Sequence, residues 1–183
     1  MRMFHGQTMG DYSVEVCVAD SEHVAGIAAI YNYHIDAGGA TFDTDHWKPE
    51  LVQRLIRGPH PEAWFVALDR SESGVSTSVD EIIGWASAKR HSLRHGYRFT
   101  CETAIYLAEN AIGRGVAQAL QDRVEEHCRQ AGIHHAIAKI IADNHRSIAF
   151  HQRYGYEIVG IQREVGHMNG KWCNVAILQK LFD

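Results

Sequence analysis

The 183-residue sequence lacks paired cysteines and any excess of positive charge. Its four cysteines are Cys17, Cys101, Cys128 and Cys173. They form no Cys-x-x-Cys pair, which argues against a zinc knuckle or a disulfide framework and fits a reducing cytoplasm. The formal net charge of −4 gives no general reason to expect a nucleic-acid partner. The thirteen histidines are dispersed, so we expect no metal site.

Long hydrophobic runs are also missing. No stretch approaches the roughly 20 apolar residues of a membrane helix, and residues 1–11 hold no apolar segment of signal-peptide length. Apolar residues make up 45% and charged residues 22% of the chain, which is typical of a globular domain. We therefore expect one cytoplasmic domain over residues 12–183, preceded by a disordered extension of residues 1–11, with no membrane partner.

The periodicity of the apolar residues predicts a mixed sheet with helices on its faces, in the order β-α-α-β-β-β-α-β-α-β-β. Strands are predicted at residues 12–18, 64–68, 82–88, 99–107, 133–142, 157–165 and 172–181. Helices are predicted after a cap at Asp20 or Ser21, from Pro49 to about Arg57, from a glycine turn to about Gln130, and from Asn144 to Tyr154. The polar residues 71–80 are predicted to form a long hairpin loop.

Residues 105–117 predict a strand, a glycine-containing turn and the start of a helix. The first N–H groups of a helix have no partner within it and carry partial positive charge, which suits a phosphate. Gly113 and Gly115 allow positive φ and close approach of a ligand, and Arg114 adds a cation that can reach a phosphate oxygen. A strand-to-helix turn without a ligand would show the same pattern, so both interpretations stay open.

Several separate segments together resemble the GCN5-related N-acetyltransferase (GNAT) superfamily, which binds acetyl-CoA. More narrowly, they resemble the phosphinothricin and methionine sulfoximine N-acetyltransferase family. The matching segments, in family order, are residues 30–34, 41–44, 97–102, 113–117, 142–144, 150–151, 163–166 and 170–172. The resemblance implies a mixed α/β (α+β) fold with a twisted, mostly antiparallel sheet of six to seven strands and helices on both faces. One departure is Ile112, which stands where the superfamily has Arg or Gln.

The resemblance also implies a binding site for acetyl-CoA as co-substrate, with no metal. The residues that match the cofactor-binding positions are Ile105, Tyr106, Leu107, Gly113, Arg114, Gly115, Val116, Ala117, Asn144 and Ser147. The backbone of residues 105–107 is expected to pair with pantetheine, and that of residues 113–117 with the pyrophosphate. Asn144 is equally suited to cap a helix, and the two roles are compatible.

Transfer of an acetyl group from a thioester requires a neutral amine, a polarised carbonyl and a neutralised thiolate. None of these requires a metal or an enzyme nucleophile, so we expect direct attack. Glu102 matches the catalytic glutamate proposed for the family and is the predicted general base. On a strand, Arg98, Thr100 and Glu102 would share one face, so an ion pair between Arg98 and Glu102 that only stabilises the strand is the alternative.

His151 is the second candidate catalytic residue, because the narrower family has a histidine at this helix position. An imidazole can donate a proton to the thiolate or orient a water near neutral pH. The alternative is a histidine that packs beside the cofactor without proton transfer.

A basic stretch at residues 89–98, which precedes Glu102, predicts the kind of amine that accepts the acetyl group. Arg98, aided by Lys89 or Arg90, is expected to hold the carboxylate or phosphinate of an amino-acid substrate, with Phe42 as an apolar wall. A solvated basic loop and a core phenylalanine are the alternatives. Other open functions are acetylation of a protein N-terminus, a polyamine or an aminoglycoside, and acyl-CoA binding without turnover. The resemblance further implies a homodimer.

Overall fold

The computed structural model describes residues 14–70 and 81–182 of the chain. The predicted extension of residues 1–11 and the predicted loop of residues 71–80 lie outside these described residues.

Seven strands and four helices within the described residues follow the predicted order. The strands are β1 (Val14–Val18), β2 (Ala63–Asp69), β3 (Glu81–Arg90), β4 (Thr100–Leu107), β5 (His135–Ile141), β6 (Glu157–Met168) and β7 (Lys171–Leu181). The helices are α1 (Val24–Ala37), α2 (Pro49–Leu55), α3 (Val116–Gln130) and α4 (His145–Arg153). Short 3₁₀ turns occupy His95–Tyr97 and Glu109–Ala111. None of the described helices is both long and apolar enough to cross a membrane.

All seven strands form one sheet in the order β1-β2-β3-β4-β5-β7-β6. Every neighbouring pair is antiparallel except β4 and β5, which run parallel. The prediction of a mostly antiparallel mixed sheet is therefore confirmed. The parallel pairing ends at Glu102 and Ile137, although β4 continues to Leu107 and β5 to Ile141. The two strands therefore separate beyond this pair, and we call the resulting gap the β4–β5 fork.

The sheet separates two hydrophobic cores. On one face, α3 packs through Leu120 and Val124 into a core that includes Cys101 and Ile105 of β4. On the other face, α1 and α2 pack onto a core that includes Tyr106 of β4. Side chains of a strand alternate between faces, so Glu102 lies on the same face as Tyr106, towards α1. Helices cover both faces, as predicted.

The start of α1 differs from the prediction of a cap by Asp20 or Ser21, which is wrong. The N-cap residue is His23, and its side chain makes no capping hydrogen bond. The Asp20 carboxylate instead accepts a hydrogen bond from the Glu22 N–H at 2.9 Å, which forms a tight turn before the helix. Short polar side chains can bond to the backbone ahead of a helix as readily as within its first turn, so the cap position shifted.

Candidate active site

The turn before α3 has the geometry predicted for an anion site. Gly113 and Gly115 have φ values of 82° and 81°, which residues with a Cβ rarely adopt. The first helical hydrogen bond runs from the Ala119 N–H to the Gly115 carbonyl at 3.1 Å, so the N–H groups of Val116 and Ala117 find no partner within the helix. A Cβ on either glycine would meet no atom of the described residues within 4 Å. The described residues therefore leave room for a ligand beside each glycine.

Arg114, predicted to supply a cation that can reach a phosphate oxygen, forms an ion pair within the protein. Its Nη2 donates to the Asp69 carboxylate at 2.6 Å, and both side chains are largely buried. Asp69 ends β2, so this ion pair anchors the glycine turn to the sheet. In this conformation Arg114 holds the glycine turn in position, with its guanidinium bound to Asp69.

The hydrogen-bond pattern of β4 determines which of its backbone groups face the β4–β5 fork. The carbonyl of Thr100 and the N–H of Ala108 bond towards β3, whereas the carbonyl of Phe99 bonds towards β5. Because backbone groups alternate along a strand, those of odd-numbered residues face β5. The N–H and carbonyl of Ile105 therefore point into the fork, an orientation that the predicted pairing with pantetheine would require. The backbone of Tyr106 is turned to β3 instead.

Leu107, the third predicted backbone partner, has its carbonyl occupied. The His34 Nε2–H donates to this oxygen at 2.8 Å, since a carbonyl can only accept. At the closed end of the fork, the Thr103 hydroxyl bonds to the Ile137 carbonyl at 3.4 Å, an acceptor that becomes available where the strands separate. On one side of Ile105, His34 binds the Leu107 carbonyl, and on the other side, Thr103 binds the Ile137 carbonyl.

Glu102 lies at the point where the fork opens. Its Oε2 is 2.8 Å from the Nζ of Lys139 on β5, and the two side chains are 31% and 46% exposed, respectively. Lys89 of β3 is its direct cross-strand neighbour and shares its face. The carboxylate is therefore accessible to solvent and flanked by lysines from both adjacent strands.

The predicted wall of Arg98, Thr100 and Glu102 is wrong, because β4 begins only at Thr100. Arg98 has helical backbone angles, φ −59° and ψ −20°, at the end of the preceding 3₁₀ turn. Its guanidinium stacks 4.2 Å above the Phe99 ring. The ion partner of Glu102 is Lys139, which our sequence reasoning missed, although a single lysine within the apolar run of β5 was a visible signal.

The other predicted substrate residues separate into two groups. Arg90 pairs with Cys101, whose side chain is buried on the α3 face, so Arg90 leaves the sheet on the side opposite to Glu102. Phe42 lies against β6, where its ring occupies the space that a Cβ on Gly166 would need. The structure thus places Lys89 and Lys139 beside Glu102. Arg90 lies on the opposite face of the sheet, and Arg98 lies before the start of β4.

Aromatic residues fix the loop that carries Phe42. The Tyr31 hydroxyl donates to the Asp43 carboxylate at 2.8 Å and lies 2.6 Å from the Thr41 hydroxyl. The Tyr31 ring packs edge-on against Tyr106 at 4.9 Å between centroids. Burial raises the pKa of Tyr106 to about 12, so it stays protonated at neutral pH. The loop is therefore tied to the same face of β4 that carries Glu102.

On the opposite side of the sheet, α4 carries the predicted Asn144 and His151. The Asn144 carbonyl oxygen accepts from the Ser147 N–H at 3.1 Å, which confirms the predicted helix cap. His151 is buried, and its Nδ1–H donates to the Ser147 carbonyl at 2.8 Å. Burial lowers the pKa of His151, so the neutral ring is favoured, with Nε2 as a hydrogen-bond acceptor. This tautomer can accept a proton or orient a water, but Nε2 has no proton to donate.

The burial of His151 predicts a pH-dependent stability. Below its ordinary pKa near 6.5, the unfolded chain binds a proton that the buried ring resists, so the free energy of unfolding should fall as the pH decreases from about 7 to 5. Replacing His151 with glutamine should flatten this dependence. Urea unfolding at several pH values measures it, with His145→Gln at the exposed start of α4 as the matched control. Equal pH dependence in both variants would contradict the prediction.

Within residues 14–70 and 81–182, no group of three or more His, Cys, Asp or Glu side chains is placed to hold a metal ion. The groups of the described residues that can take part in chemistry here include the backbone donors, Glu102, His151 and the neighbouring lysines.

The N-terminus of α3 suits a phosphate, and the Glu102 carboxylate lies at the opening of the β4–β5 fork. Together they suit the transfer of an acyl group from a thioester that carries phosphate groups. The sequence pattern of the acetyltransferase (GNAT) family matches residues 27–156, which include the glycine turn and both strands of the fork. The chain belongs to the GNAT family of acetyltransferases. The predicted resemblance is confirmed.

Within this family, the chain is similar to several proteins with named activities. An L-methionine sulfoximine/L-methionine sulfone acetyltransferase from Pseudomonas paraeruginosa is 33% identical over 161 residues, 86% of this chain and 88% of that protein. A phosphinothricin N-acetyltransferase from Streptomyces coelicolor is 29% identical over 91% of this chain and 95% of its own. The crystal structure of a GNAT superfamily phosphinothricin acetyltransferase from Sinorhizobium meliloti in complex with AcCoA is similar with a TM-score of 0.82 and 27% identity. It covers 94% of this chain and 89% of that one.

Proposed function

We propose that the protein transfers an acetyl group from acetyl-CoA to the amino group of a small amino-acid-like substrate, such as phosphinothricin, methionine sulfoximine, methionine sulfone or a related amino acid. The observation that carries this proposal is the accessible carboxylate of Glu102 at the opening of the β4–β5 fork, flanked by two lysines. Relatives named for these substrates support it.

The described residues fit acetyl-CoA as the donor. The free N–H groups of Val116 and Ala117 and the open space at Gly113 and Gly115 suit the pyrophosphate. The backbone of Ile105 suits the amides of pantetheine, which would pair with β4 as an added strand does. Asn144 and Ser147 remain candidates for the pantetheine arm. The Asn144 carbonyl caps α4, so its amide NH₂ is the group that can donate to a ligand.

In the proposed reaction, the substrate ammonium loses a proton to Glu102 directly or through a water. The neutral nitrogen then attacks the thioester carbon, and the carbon–sulfur bond breaks. The nitrogen loses its second proton as the amide forms, and this proton balances the one that the thiolate of CoA takes up. A backbone N–H in the fork polarises the carbonyl as it becomes tetrahedral. His151 is proposed to orient a water for the proton transfer to sulfur, because its neutral tautomer has no Nε2 proton to give.

A panel assay tests the function. CoA release from acetyl-CoA is measured with phosphinothricin, methionine sulfoximine, methionine sulfone, free amino acids, spermidine, an aminoglycoside and a peptide with a free N-terminus. We expect turnover with the amino-acid-like acceptors and little with the others. Turnover confined to the polyamine, aminoglycoside or peptide would replace the proposed substrate class. Binding of acetyl-CoA without turnover would indicate an acyl-CoA-binding relative, which the half-exposed Ile112 in place of Arg or Gln favours.

A homodimer in the cytoplasm is part of the proposal. The edge strand β6 pairs on one side with β7 and exposes Val159, Ile161 and Val165. Apolar side chains on a strand that ends the described part of a sheet favour association with a second copy. Four thiols without a disulfide fit a reducing compartment. Sedimentation of the protein at twice the chain mass of 20.6 kDa would support the dimer, and sedimentation at the chain mass would exclude it.

A further inference from the structure

We infer that Lys139 determines the choice of acceptor, by binding the carboxylate of a free α-amino acid while Glu102 binds its ammonium group. This inference rests on the proposed function and assigns a substrate class to the same site.

The position of Lys139 is set by the end of the β4–β5 pairing. Ile137 is the last β5 residue paired with β4, and its partner is Glu102. Lys139 follows two residues later, so it lies on the same face of the sheet as Ile137 and Glu102. Its ammonium group reaches back across the opening of the fork to the Glu102 carboxylate at 2.8 Å. The pair thus spans the place where donor and acceptor must meet.

The exposure of this pair allows a substrate to separate it. The side chains of Lys139 and Glu102 are 46% and 31% exposed, and an ion pair in contact with water gains little from its own attraction. The pair therefore holds both charges at the fork without locking them together. An incoming molecule that offers both charges can replace each partner.

A free α-amino acid offers both charges on one carbon atom. Its ammonium can pair with Glu102 and its carboxylate with Lys139, so one ion pair is exchanged for two. An amine without a neighbouring carboxylate separates the same pair and leaves the Lys139 ammonium without a counterion at the site. The arrangement therefore favours free amino acids over their amides, over polyamines and over peptide N-termini, in which that carboxylate is an amide.

The other cations near the site are less well placed for this role. Arg90 leaves the opposite face of the sheet, and Arg98 precedes β4 and stacks on Phe99. Lys89 shares the face of Glu102 but lies on the β3 side, away from the fork. Lys139 is on the strand that borders the opening itself.

The test compares one acceptor with and without its carboxylate. We would measure kcat and KM for methionine sulfone and for its carboxamide with the wild type, Lys139→Met and Lys139→Arg. The matched control is Arg70→Met, which breaks an exposed ion pair of the same 2.8 Å length with Glu15 at the β1–β2 edge of the sheet. Thermal melting of each variant verifies that it is folded.

We expect Lys139→Met to raise KM for methionine sulfone by roughly tenfold to a hundredfold, with a smaller change in kcat. Its kcat/KM for the carboxamide should stay the same or rise, because Glu102 is released from its partner. Lys139→Arg should retain the preference for the acid, and Arg70→Met should match the wild type with both acceptors.

An unchanged ratio of kcat/KM for acid and carboxamide in folded Lys139→Met would overturn the inference and leave the proposed function intact. An equal loss with both acceptors would do the same, because it would mean that Lys139 only positions Glu102. A wild type that releases CoA with neither these acceptors nor the amino-acid panel would instead overturn the proposed function, and this inference with it.

Discussion

Replacing Glu102 with glutamine is expected to lower kcat by about 10²–10⁴-fold, the usual contribution of a general base. Glutamine keeps the size of the side chain but cannot accept the ammonium proton. The binding of acetyl-CoA should be unaffected, because Glu102 lies on the α1 face of β4, away from the glycine turn. Steady-state CoA release measures the first effect, and calorimetric titration with acetyl-CoA measures the second.

The pH profile of the same variant gives a further result. Without a base, only acceptor molecules that are already neutral can react, so residual activity should rise about tenfold per pH unit below the pKa of the amine. Glu126→Gln is the matched control, since Glu126 also pairs with a basic side chain, Arg123 at 3.0 Å, but on the outer surface of α3. A Glu102→Gln variant with the kcat of Glu126→Gln would exclude Glu102 as the base.

Replacing Gly115 with valine is expected to weaken acetyl-CoA binding by about tenfold or more. Gly115 has a φ of 81°, and a β-branched residue is a strong outlier in this region of backbone angles. The new side chain would also project into the open space before α3 that we assign to the pyrophosphate. The dissociation constant of acetyl-CoA, measured by calorimetry, checks the prediction.

Gly132 provides a matched control, because it has a φ of 69° just beyond the other end of α3. A Cβ at Gly132 would likewise meet no atom of the described residues within 4 Å. Valine at either glycine should therefore impose a similar backbone strain, about 1–2 kcal/mol, on the folded protein. Equal acetyl-CoA affinity in the two variants would show that the glycine turn does not bind the donor.

Much of the fold could be predicted because its signals are local. Alternating residues indicated β1 and short apolar runs indicated β2 and β3, while Pro49 indicated the start of α2 and Asn144 the cap of α4. The positive φ of Gly113 and Gly115 also follows from a residue type that adopts such angles without cost. Each of these features depends on neighbours within a few residues, so the sequence alone contains the information.

Two of the features that we missed depend on residues distant in sequence. The partner of Glu102 is set by the register of the parallel pair β4 and β5, which alternation within one strand does not determine. The ion pair of Arg114 with Asp69 at the end of β2 was not predicted, because the two residues are 45 positions apart in the chain. The error at Arg98 is local: its side chain was assumed to continue the alternation of the strand predicted at residues 99–107, but β4 begins at Thr100 and Arg98 has helical backbone angles.

The pairing of β4 with β5 ends at Glu102, so the backbone of Ile105 faces the β4–β5 fork and not a paired strand. We propose that acetyl-CoA binds there, and the co-substrate would then be a structural component as well as a reactant. A ligand that binds only the native state adds about 2.7 kcal/mol of stability at a concentration one hundred times its Kd. The stability of the folded protein, and not only its turnover rate, would then depend on the concentration of acetyl-CoA. A low concentration of the donor would both slow the reaction and increase the unfolded fraction of the enzyme.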